Sequence, residues 1–119
     1  MEFRRGDVVL IAFPFIQDFS RSKARPAVVI QNDVGNAYSD NLILAAITSQ
    51  VPEQDYPVHY RIYAGSPIAK EAGLDKDSIV KAETIITIPK AQVIEKLGQF
   101  LPEAMAEIDR CLRISLELE

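Results

Sequence analysis

The sequence predicts a mainly β fold, namely a small antiparallel barrel that is closed or nearly closed and carries one C-terminal α-helix. Three observations predict it: short apolar, partly β-branched runs recur along the chain, turn-forming residues separate them, and a helical period is present only near the C-terminus. A parallel sheet would need crossover helices between its strands, and the spacers are too irregular to supply them. With 119 residues, 48% of them hydrophobic, we expect one domain over residues 1–119.

Six strand segments are predicted from apolar or alternating runs. They are Val8–Phe13, Ala27–Ile30, Leu42–Ile47, Val58–Tyr63, Ser78–Val80 and Thr84–Ile88. The first follows the turn signal of Gly6 and Asp7, and the fourth alternates as a half-exposed strand does. Because every run is short, each is expected to pair with its neighbours through turns rather than through long crossovers.

Loops are predicted where polar residues, glycine or proline cluster. Pro14–Ala24 is polar, and Asp33–Asn41 contains Gly35 and Asn36. Ala64–Asp77 holds two glycines and a proline, so it is expected to be mostly irregular. These three segments are therefore expected to connect the strands.

The C-terminal segment changes period. Met105, Ile108 and Leu112 recur at i, i+3 and i+7, and Pro102 suits a first helical turn. One amphipathic helix is therefore expected from about Pro102 to Ser115.

The charge balance limits the partners of the chain. Thirteen basic against 17 acidic residues give a net charge of −4 and a pI near 5.0, which opposes indiscriminate binding to nucleic-acid phosphates. Basic residues are concentrated in the first 25 positions, however, so a local basic patch on an acidic body is predicted. Asp7 and Pro14 interrupt the apolar run near the N-terminus, and neither a targeting segment nor a membrane span is expected.

Cysteine and histidine are scarce. Cys111 is the single cysteine and His59 the single histidine, so the sequence offers no internal disulfide and no cluster spaced like a zinc site. A reducing cytoplasm is the simple interpretation. One histidine per chain also excludes a two-histidine ribonuclease mechanism, and neither a G-x-S-x-G elbow nor an H-E-x-x-H motif is present.

Arg25 stands directly before a proline and an apolar strand. Pro26 disfavours the α region at the residue before it and has no N–H, so Arg25 is expected to be extended at the mouth of the second strand. Two interpretations are open. Arg25 either solvates the strand end, as exposed arginines commonly do, or directs a guanidinium at an anion such as phosphate.

Two hydroxyls, Thr48 and Ser49, follow directly after the apolar run Leu42–Ile47. They are either a polar strand end whose hydroxyl bonds to its own backbone, or part of a site at the rim of the sheet. His59 lies in an alternating segment, where it is either a packed or solvated residue or a participant in proton transfer.

Motifs in a defined order identify a family resemblance. The chain contains RGDVV at 5–9, FPF at 13–15, DFSRSKARP at 18–26, AVVIQND at 27–33 and AAITSQ at 45–50, followed by AGL at 72–74, DSIV at 77–80 and KLG at 96–98. In this order they resemble the MazF/PemK toxin family, and the resemblance covers nearly the whole chain.

The resemblance implies a cytoplasmic toxin of a toxin–antitoxin pair, an mRNA interferase that cuts single-stranded RNA at specific sequences without a metal ion or another cofactor. Its fold would be the SH3-like barrel shared with the gyrase poison CcdB, assembled as a homodimer and bound by a cognate antitoxin. The family's catalytic arginine, which precedes a proline, falls on Arg25, and its catalytic threonine falls on Thr48. A guanidinium beside a hydroxyl is suited to stabilise the negative charge that develops when a 2′-hydroxyl attacks a phosphodiester.

RNA recognition is expected in the two loops that flank these residues, Pro14–Ala24 and Asn32–Asn41. The expected RNA-binding residues are Phe15, Phe19, Ser20, Arg21, Lys23, Asn32 and Ser49. The two phenylalanines would stack on unpaired bases, and each is equally well explained as a core or dimer contact. Ser20 stands where some members carry a glutamate that contributes to the site, so the role of that glutamate does not transfer to this chain.

The acceptor of the 2′-hydroxyl proton is left open among Asp18, His59 and an ordered water, because arginine stays protonated near neutral pH.

Three other functions are weighed against the ribonuclease, and each requires different sequence features. A CcdB-like gyrase inhibitor would share the barrel but depends on a C-terminal tryptophan, and this chain has none. An SH3-like module that binds proline-rich peptides needs an aromatic groove, which 8% aromatic residues without tryptophan supply poorly. A catalytically inactive relative stays open, because the proton acceptor is not identified.

Overall fold

The computed structural model describes residues 1–12 and 24–119. Phe13 and the predicted loop as far as Lys23 lie outside the described residues. In chain order the elements are β1 (Asp7–Ala12), β2 (Ala24–Val29), α1 (Asp33–Tyr38), β3 (Asn41–Thr48), β4 (His59–Ile62), α2 (Pro67–Ala72), β5 (Ser78–Pro89), a 3₁₀ turn (Lys90–Gln92), β6 (Val93–Gln99) and α3 (Pro102–Leu116).

The six strands form one sheet in the order β4-β5-β3-β2-β1-β6, and every neighbouring pair is antiparallel. The predicted mainly β fold with antiparallel pairing and a C-terminal helix is thereby confirmed. No ladder between described residues joins β4 to β6, so the sheet is open, whereas the sequence predicted a closed or nearly closed barrel.

The two faces of the sheet bury different clusters, because successive side chains along a strand point to opposite faces. α3 covers one face with the period that the sequence predicts, and its residue Ile108 is fully buried. The buried residues of α3 are Ala104, Met105, Ile108, Cys111 and Leu112. They pack on strand residues such as Val28, Ala45 and Ile47. Burying a side chain the size of isoleucine contributes about 1.5–3 kcal/mol.

The opposite face of the sheet holds a second apolar cluster. Its buried members are Phe3, Val9, Ile11, Ala27, Val29, Leu42, Leu44, Ala46 and Ile88. No helix among the described residues contributes to it. Ala27 of β2 and Ala46 of β3 pair within this cluster. Arg25 and Thr48, two residues further along these strands on the same face, are therefore next to tightly packed backbone.

Two strands extend beyond their predicted bounds. β2 begins at Ala24 rather than at Ala27, because its first residues pair with the end of β1. β5 is one strand of 12 residues, whereas two short strands were predicted. A register shift between Ala45 and Ala46 of β3 lets the longer strand follow both β3 and β4.

Two short helices, α1 and α2, lie in segments predicted to connect strands. The loop prediction for Asp33–Asn41 was wrong because α1 takes six of its residues, whereas Ala64–Asp77 is mostly irregular as predicted apart from the six residues of α2. In α1 the Asn32 side chain accepts a hydrogen bond from Gly35 N at 2.8 Å, which caps the first turn. In α2 the Ser66 hydroxyl accepts one from Ala69 N at 3.1 Å, and Gly73 ends the helix in a left-handed conformation. Each helix has six residues, too few to show a hydrophobic period. Across the described residues, no helix combines the length and the apolar character that crossing a bilayer requires.

β6 is a strand that the sequence did not predict. It lies at an edge of the sheet and exposes Glu95 and Lys96, so no apolar alternation marks it. A close backbone approach holds it against α2, since a Cβ on Gly98 would lie 2.2 Å from the Glu71 carbonyl oxygen. Only glycine fits there without moving the backbone.

Candidate active site

The register between β2 and β3 sets Arg25 and Thr48 side by side. The last registered pair is Ala27 with Ala46, and two further residues on each strand place Arg25 opposite Thr48. Both residues lie within their strands and share the face of that pair, because side chains alternate with a period of two. Directly opposite residues have Cβ atoms about 4.5–5.5 Å apart. A guanidinium and a hydroxyl therefore start from neighbouring positions on one face, at one end of the sheet.

Pro26 changes the pairing next to Arg25. Because proline has no N–H to donate, a ladder cannot continue through it unchanged. The registered pairing of β2 with β3 stops at Ala27, whereas the pairing of β2 with β1 continues to Ala24. Arg25 is held as the partner of Ile11 in β1. It is the second residue of β2, which begins at Ala24, so the expectation that Arg25 precedes the strand was wrong although it lies near the strand end.

The Thr48 hydroxyl has a fixed acceptor role. Its Oγ1 accepts a hydrogen bond from the backbone N–H of Gln50 at 3.1 Å. This is the turn bond that was one of the two open interpretations of this residue. Because the oxygen accepts from Gln50, the hydroxyl proton points elsewhere and is available to donate. Thr48 is half-buried, and Ser49 beside it is exposed.

His59 lies further across the sheet. It pairs with Lys81 of β5, which pairs with Ala46 of β3, so two strand spacings, about 10 Å, separate it from β3. Its Nε2 lies 2.8 Å from Glu83 Oε2, and its buried Nδ1 has no hydrogen-bond partner among the described residues. The structure does not bring His59 next to Thr48 and engages its ring with a carboxylate instead.

Asn32 lies at the other end of the sheet. Four residues of β2, about 13 Å, separate Arg25 from Val29, and Asn32 follows three residues later. Its side chain is the cap of α1. Within one protomer the structure therefore does not bring Asn32 together with Arg25 and Thr48.

Six predicted site residues lie outside the described residues. They are Phe15, Asp18, Phe19, Ser20, Arg21 and Lys23. Their roles stay predictions. Within residues 1–12 and 24–119, no group of three or more His, Cys, Asp or Glu side chains is arranged to hold a metal ion.

Two residues near Thr48 were not singled out from the sequence. Gln50 acts through its backbone N–H, which no side-chain motif reveals. Arg61 pairs with Ile79, and Ile79 pairs with Thr48, so Arg61 lies in the same cross-strand row. The alternation of residues 58–63 was the available signal, since it predicts that Arg61 and an apolar neighbour point to opposite faces.

Comparison with known proteins decides the family. A sequence profile described as "PemK-like, MazF-like toxin of type II toxin-antitoxin system" matches residues 4–116. The chain belongs to this family. The match spans both Arg25 and Thr48, and the resemblance that the motifs indicate is confirmed.

Solved structures of the same fold extend the comparison. An endoribonuclease in complex with its cognate antitoxin from a mycobacterial species aligns with a TM-score of 0.76 and 20% identity over 98% of this chain and 97% of that chain. The Mycobacterium tuberculosis toxin MazF-mt6 aligns with a TM-score of 0.75 and 18% identity over 95% and 98%. A MazE-MazF complex from Deinococcus radiodurans aligns with a TM-score of 0.70 and 18% identity over 100% and 99%. At these identities the likeness establishes that the fold of the described residues is the MazF fold.

Proposed function

We propose that this toxin is an endoribonuclease that cuts single-stranded RNA at specific sequences. The observation that supports the proposal is the β2–β3 register: its last pair is Ala27 with Ala46, and Arg25 and Thr48 lie two residues beyond that pair on the same face of the two strands. Family membership supports it, because the family's catalytic arginine and threonine fall on these two positions. Relatives named as endoribonucleases share the fold.

In the proposed reaction the 2′-oxygen of one nucleotide attacks the phosphorus on its own 3′-oxygen, and the bond from that phosphorus to the 5′-oxygen of the next nucleotide breaks. The products are a 2′,3′-cyclic phosphate and a free 5′-hydroxyl. Negative charge builds up on the non-bridging oxygens during the attack, so donors aimed at those oxygens lower the barrier.

Arg25 and Thr48 supply such donors in different ways. The planar guanidinium of Arg25 donates to two phosphate oxygens at once and carries a full positive charge. The Thr48 hydroxyl donates its proton in a hydrogen bond, because its oxygen already accepts from Gln50 N. Arginine stays protonated near neutral pH, so we assign Arg25 to charge stabilisation and not to proton removal.

Three acceptors fit the 2′-hydroxyl proton, namely Asp18, His59 and an ordered water. The pH–rate profiles of Asp18→Asn and His59→Gln separate them, because a variant without the base loses the acidic limb of the profile. A parent profile without an acidic limb, and a rate that neither variant lowers, would assign the step to water, whereas an acidic limb that persists in both variants would point to another titratable group. Glu83 engages Nε2 of His59, so the nitrogen open to accept the proton is Nδ1, which is buried.

Two protein partners and a cytoplasmic location complete the proposed function. A cognate antitoxin is supported by family membership and by relatives named in complex with antitoxins. A homodimer is supported by apolar side chains exposed at the end of the chain, namely Ile114, Leu116 and Leu118. Light scattering during size-exclusion chromatography tests the homodimer, and a monomer at micromolar concentration would contradict it.

The decisive experiment incubates the purified protein with a long unstructured RNA in excess EDTA and maps the new ends. We expect cuts at one short sequence, abolished by a 2′-deoxy substitution at the nucleotide that supplies the attacking oxygen. Arg25→Ala and Thr48→Val should lose the cuts, and Thr48→Ser should keep most of the rate because it retains the hydroxyl. Arg110→Ala is the matched control, since it removes an exposed arginine whose ion pair with Glu107 lies on α3.

Two outcomes would contradict the proposal. Intact RNA together with stalled DNA gyrase complexes would assign the chain to the gyrase poisons. RNA that Arg25→Ala cuts as fast as the parent protein would remove the site from β2 and β3.

A further inference from the structure

The β3–β4 loop, residues 49–58, starts at the candidate active site and is anchored at both ends. At its start Gln50 N donates to Thr48 Oγ1 at 3.1 Å. At its end the Tyr56 carbonyl accepts from His59 N at 2.9 Å, and the two rings pack edge to face with centroids 5.4 Å apart.

Arg61 of β4 holds the middle of the β3–β4 loop. Its Nη2 donates to the Pro52 carbonyl at 3.0 Å, and its Nε donates to Asp55 Oδ1 at 2.9 Å. The Arg61 side chain is 27% exposed, whereas the Asp55 side chain is 85% exposed. The bond to Pro52 is therefore the better shielded of the two, and solvent screens the ion pair with Asp55.

The register places this anchor on the face that carries the site. Arg61 lies opposite Ile79 of β5, and Ile79 lies opposite Thr48 of β3. Two strand spacings, about 10 Å, separate Arg61 from Thr48 along this row. The same row continues to Arg25 on β2. The β3–β4 loop is thus held beside the face of the sheet where a phosphate would meet Arg25 and Thr48.

We propose that Arg61 is a positioning residue for Thr48, an inference that rests on the proposed ribonuclease function. By holding Pro52 and Asp55, Arg61 keeps the β3–β4 loop in place. In that position Gln50 N–H reaches Thr48 Oγ1 and fixes the direction of the hydroxyl proton.

Loss of the Arg61 bonds to the β3–β4 loop would lower the cleavage rate, although Arg25 and Thr48 would both still be present. Without the Gln50 bond, the Thr48 hydroxyl rotates among staggered orientations, and only some of them point a proton at the phosphate. A donor that is not oriented in advance contributes less to catalysis than one that is. The expected loss is therefore in the chemical step rather than in RNA binding.

A competing role for Arg61 is direct contact with an RNA phosphate, since it is a cation on the same face. Asp55 separates the two roles. If Arg61 positions the loop, Asp55→Ala weakens one anchor and lowers kcat slightly. If Arg61 binds phosphate, Asp55→Ala removes a carboxylate beside the guanidinium and tightens RNA binding.

Steady-state kinetics on a short RNA that contains the mapped cut site test the inference. We expect Arg61→Ala to lower kcat about tenfold with KM within about twofold of the parent value, because one oriented donor is lost and none that binds RNA. Arg61→Lys should recover part of the rate, since an ammonium can still reach the Pro52 carbonyl. Asp55→Ala should lower kcat less than Arg61→Ala does. Arg110→Ala, the matched arginine control, should behave as the parent protein.

Two kinetic results would overturn the inference. One is a raised KM with unchanged kcat in Arg61→Ala. The other is tighter RNA binding by Asp55→Ala. Arg61→Lys and Asp55→Ala keep the test valid if Arg61→Ala fails to fold.

A second measurement does not depend on RNA cleavage. Hydrogen exchange of the Gln50 amide in the absence of RNA should be slow in the parent protein and in Arg110→Ala, and at least several-fold faster in Arg61→Ala. Thr48→Val, which removes the acceptor, is the positive control for lost protection. Unchanged exchange of Gln50 in Arg61→Ala would overturn the positioning role, whereas intact RNA with the parent protein would overturn the proposed ribonuclease function instead.

Discussion

A half-buried arginine lies near each end of β2, and the two differ in their hydrogen-bond and ion-pair partners. Near the Val29 end, the guanidinium of Arg5 donates to both carboxylate oxygens of Asp109, at 2.6 and 3.3 Å, and to the Ile30 carbonyl at 2.8 Å. At the other end, Arg25 has no ion-pair partner within residues 1–12 and 24–119. The protein itself uses the donors of Arg5.

The polar groups around α1 satisfy one another in the same way. Gln31 Nε2 donates to Asn36 Oδ1 at 3.1 Å, and Asn36 Nδ2 donates to the Gln31 carbonyl at 2.9 Å. Both side chains are buried. Asp33 Oδ1 accepts from Arg5 N at 2.7 Å and from Asn36 Nδ2 at 3.1 Å. A buried network whose donors and acceptors meet internally stabilises one conformation.

The two ends differ in how far the protein satisfies its own polar groups. At the α1 end the charged groups are matched by the protein, so little remains for a ligand. At the Arg25 end the hydrogen bond that the Thr48 hydroxyl makes among the described residues uses its oxygen and leaves its proton. A phosphate needs donors that the protein has not already used. Charge and polarity are present at both ends, and only the pattern of hydrogen bonds distinguishes them.

The largest effect is expected from replacing the two arginines in turn: one substitution should lower activity and the other should lower stability. Arg25→Ala should lower kcat by about 100-fold to 1,000-fold, as the loss of an oxyanion donor does, and leave the free energy of unfolding nearly unchanged. Arg5→Ala should instead lower the free energy of unfolding by about 1–2 kcal/mol, because its charged bonds are only partly shielded from solvent. Single-turnover cleavage and urea denaturation measure the two quantities.

A reversed result would break the comparison. If Arg5→Ala remained folded but lost cleavage as completely as Arg25→Ala, the α1 end would belong to the site. Arg25→Lys sharpens the contrast, since a lysine keeps the charge but cannot donate in a planar fork. It should fall between the parent protein and Arg25→Ala in kcat.

A smaller effect is expected from the buried amide at the centre of the α1 network. Asn36→Ala removes two hydrogen bonds to Gln31, one from Gln31 Nε2 to Asn36 Oδ1 and one from Asn36 Nδ2 to the Gln31 carbonyl, while Gln31 Nε2 keeps its bond to the Asn41 carbonyl at 3.0 Å. The free energy of unfolding should therefore fall by about 1–2 kcal/mol. Urea denaturation measures this change, and kcat at a temperature where the variant is folded should match the parent value. Gln92→Ala is the matched control because it removes an exposed amide outside the network. Equal stability of the two variants would show that the network contributes nothing.

Much of the fold follows from local sequence signals, and the exceptions have physical reasons. The runs of β1 and β3 and the period of α3 mark their elements within one or two residues, because each buries a regular pattern of side chains. For α1 the Asn32 cap and the Gln31–Asn36 pair span only three and five residues, so a local start signal was present, but six residues are too few to show a hydrophobic period. For α2 a local signal was present, since Ser66, Pro67 and Gly73 mark a start and an end.

The candidate site was predictable in its residues but not in its arrangement. The motifs and the family resemblance point to Arg25 and Thr48. Their position on neighbouring strands depends on the β2–β3 register. That register is fixed by which side chains, such as Ala27 and Ala46, are buried on one face of the sheet. No local pattern contains that information. The anchoring of the β3–β4 loop by Arg61 depends on the same long-range register.

Asn32 tests the comparison at a single hydrogen bond, because its side chain caps α1 and it is also predicted to bind RNA. Asn32→Ala should lower the free energy of unfolding by about 1 kcal/mol and leave KM for RNA unchanged. Asn32→Asp is the informative partner, since aspartate also caps helices but places a negative charge where RNA would bind. Parent-like KM in both variants would assign Asn32 to structure alone. A raised KM in both would return it to the RNA surface.

The smallest expected effect is a pH dependence of stability at Asp33. The hydrogen bond from Arg5 N, followed by the one from Asn36, holds the pKa of this carboxyl below its ordinary value. The folded state therefore keeps Asp33 ionised at a lower pH than the unfolded chain does. The resulting stability is complete above the unfolded-state pKa, about 4, and is lost as the pH falls through the folded-state pKa.

Asp33→Asn should be less stable than the parent protein at pH 7, and urea midpoints should show that this stability difference narrows as the pH falls below about 4. Since hydrogen bonds and not distant charges are the main causes, the gap at pH 7 should persist in 0.5 M NaCl, roughly fivefold above the salt at which the screening length is 10 Å. A gap that stays constant with pH, or that salt removes, would mean that Arg5 N and Asn36 do not hold the Asp33 carboxylate in solution.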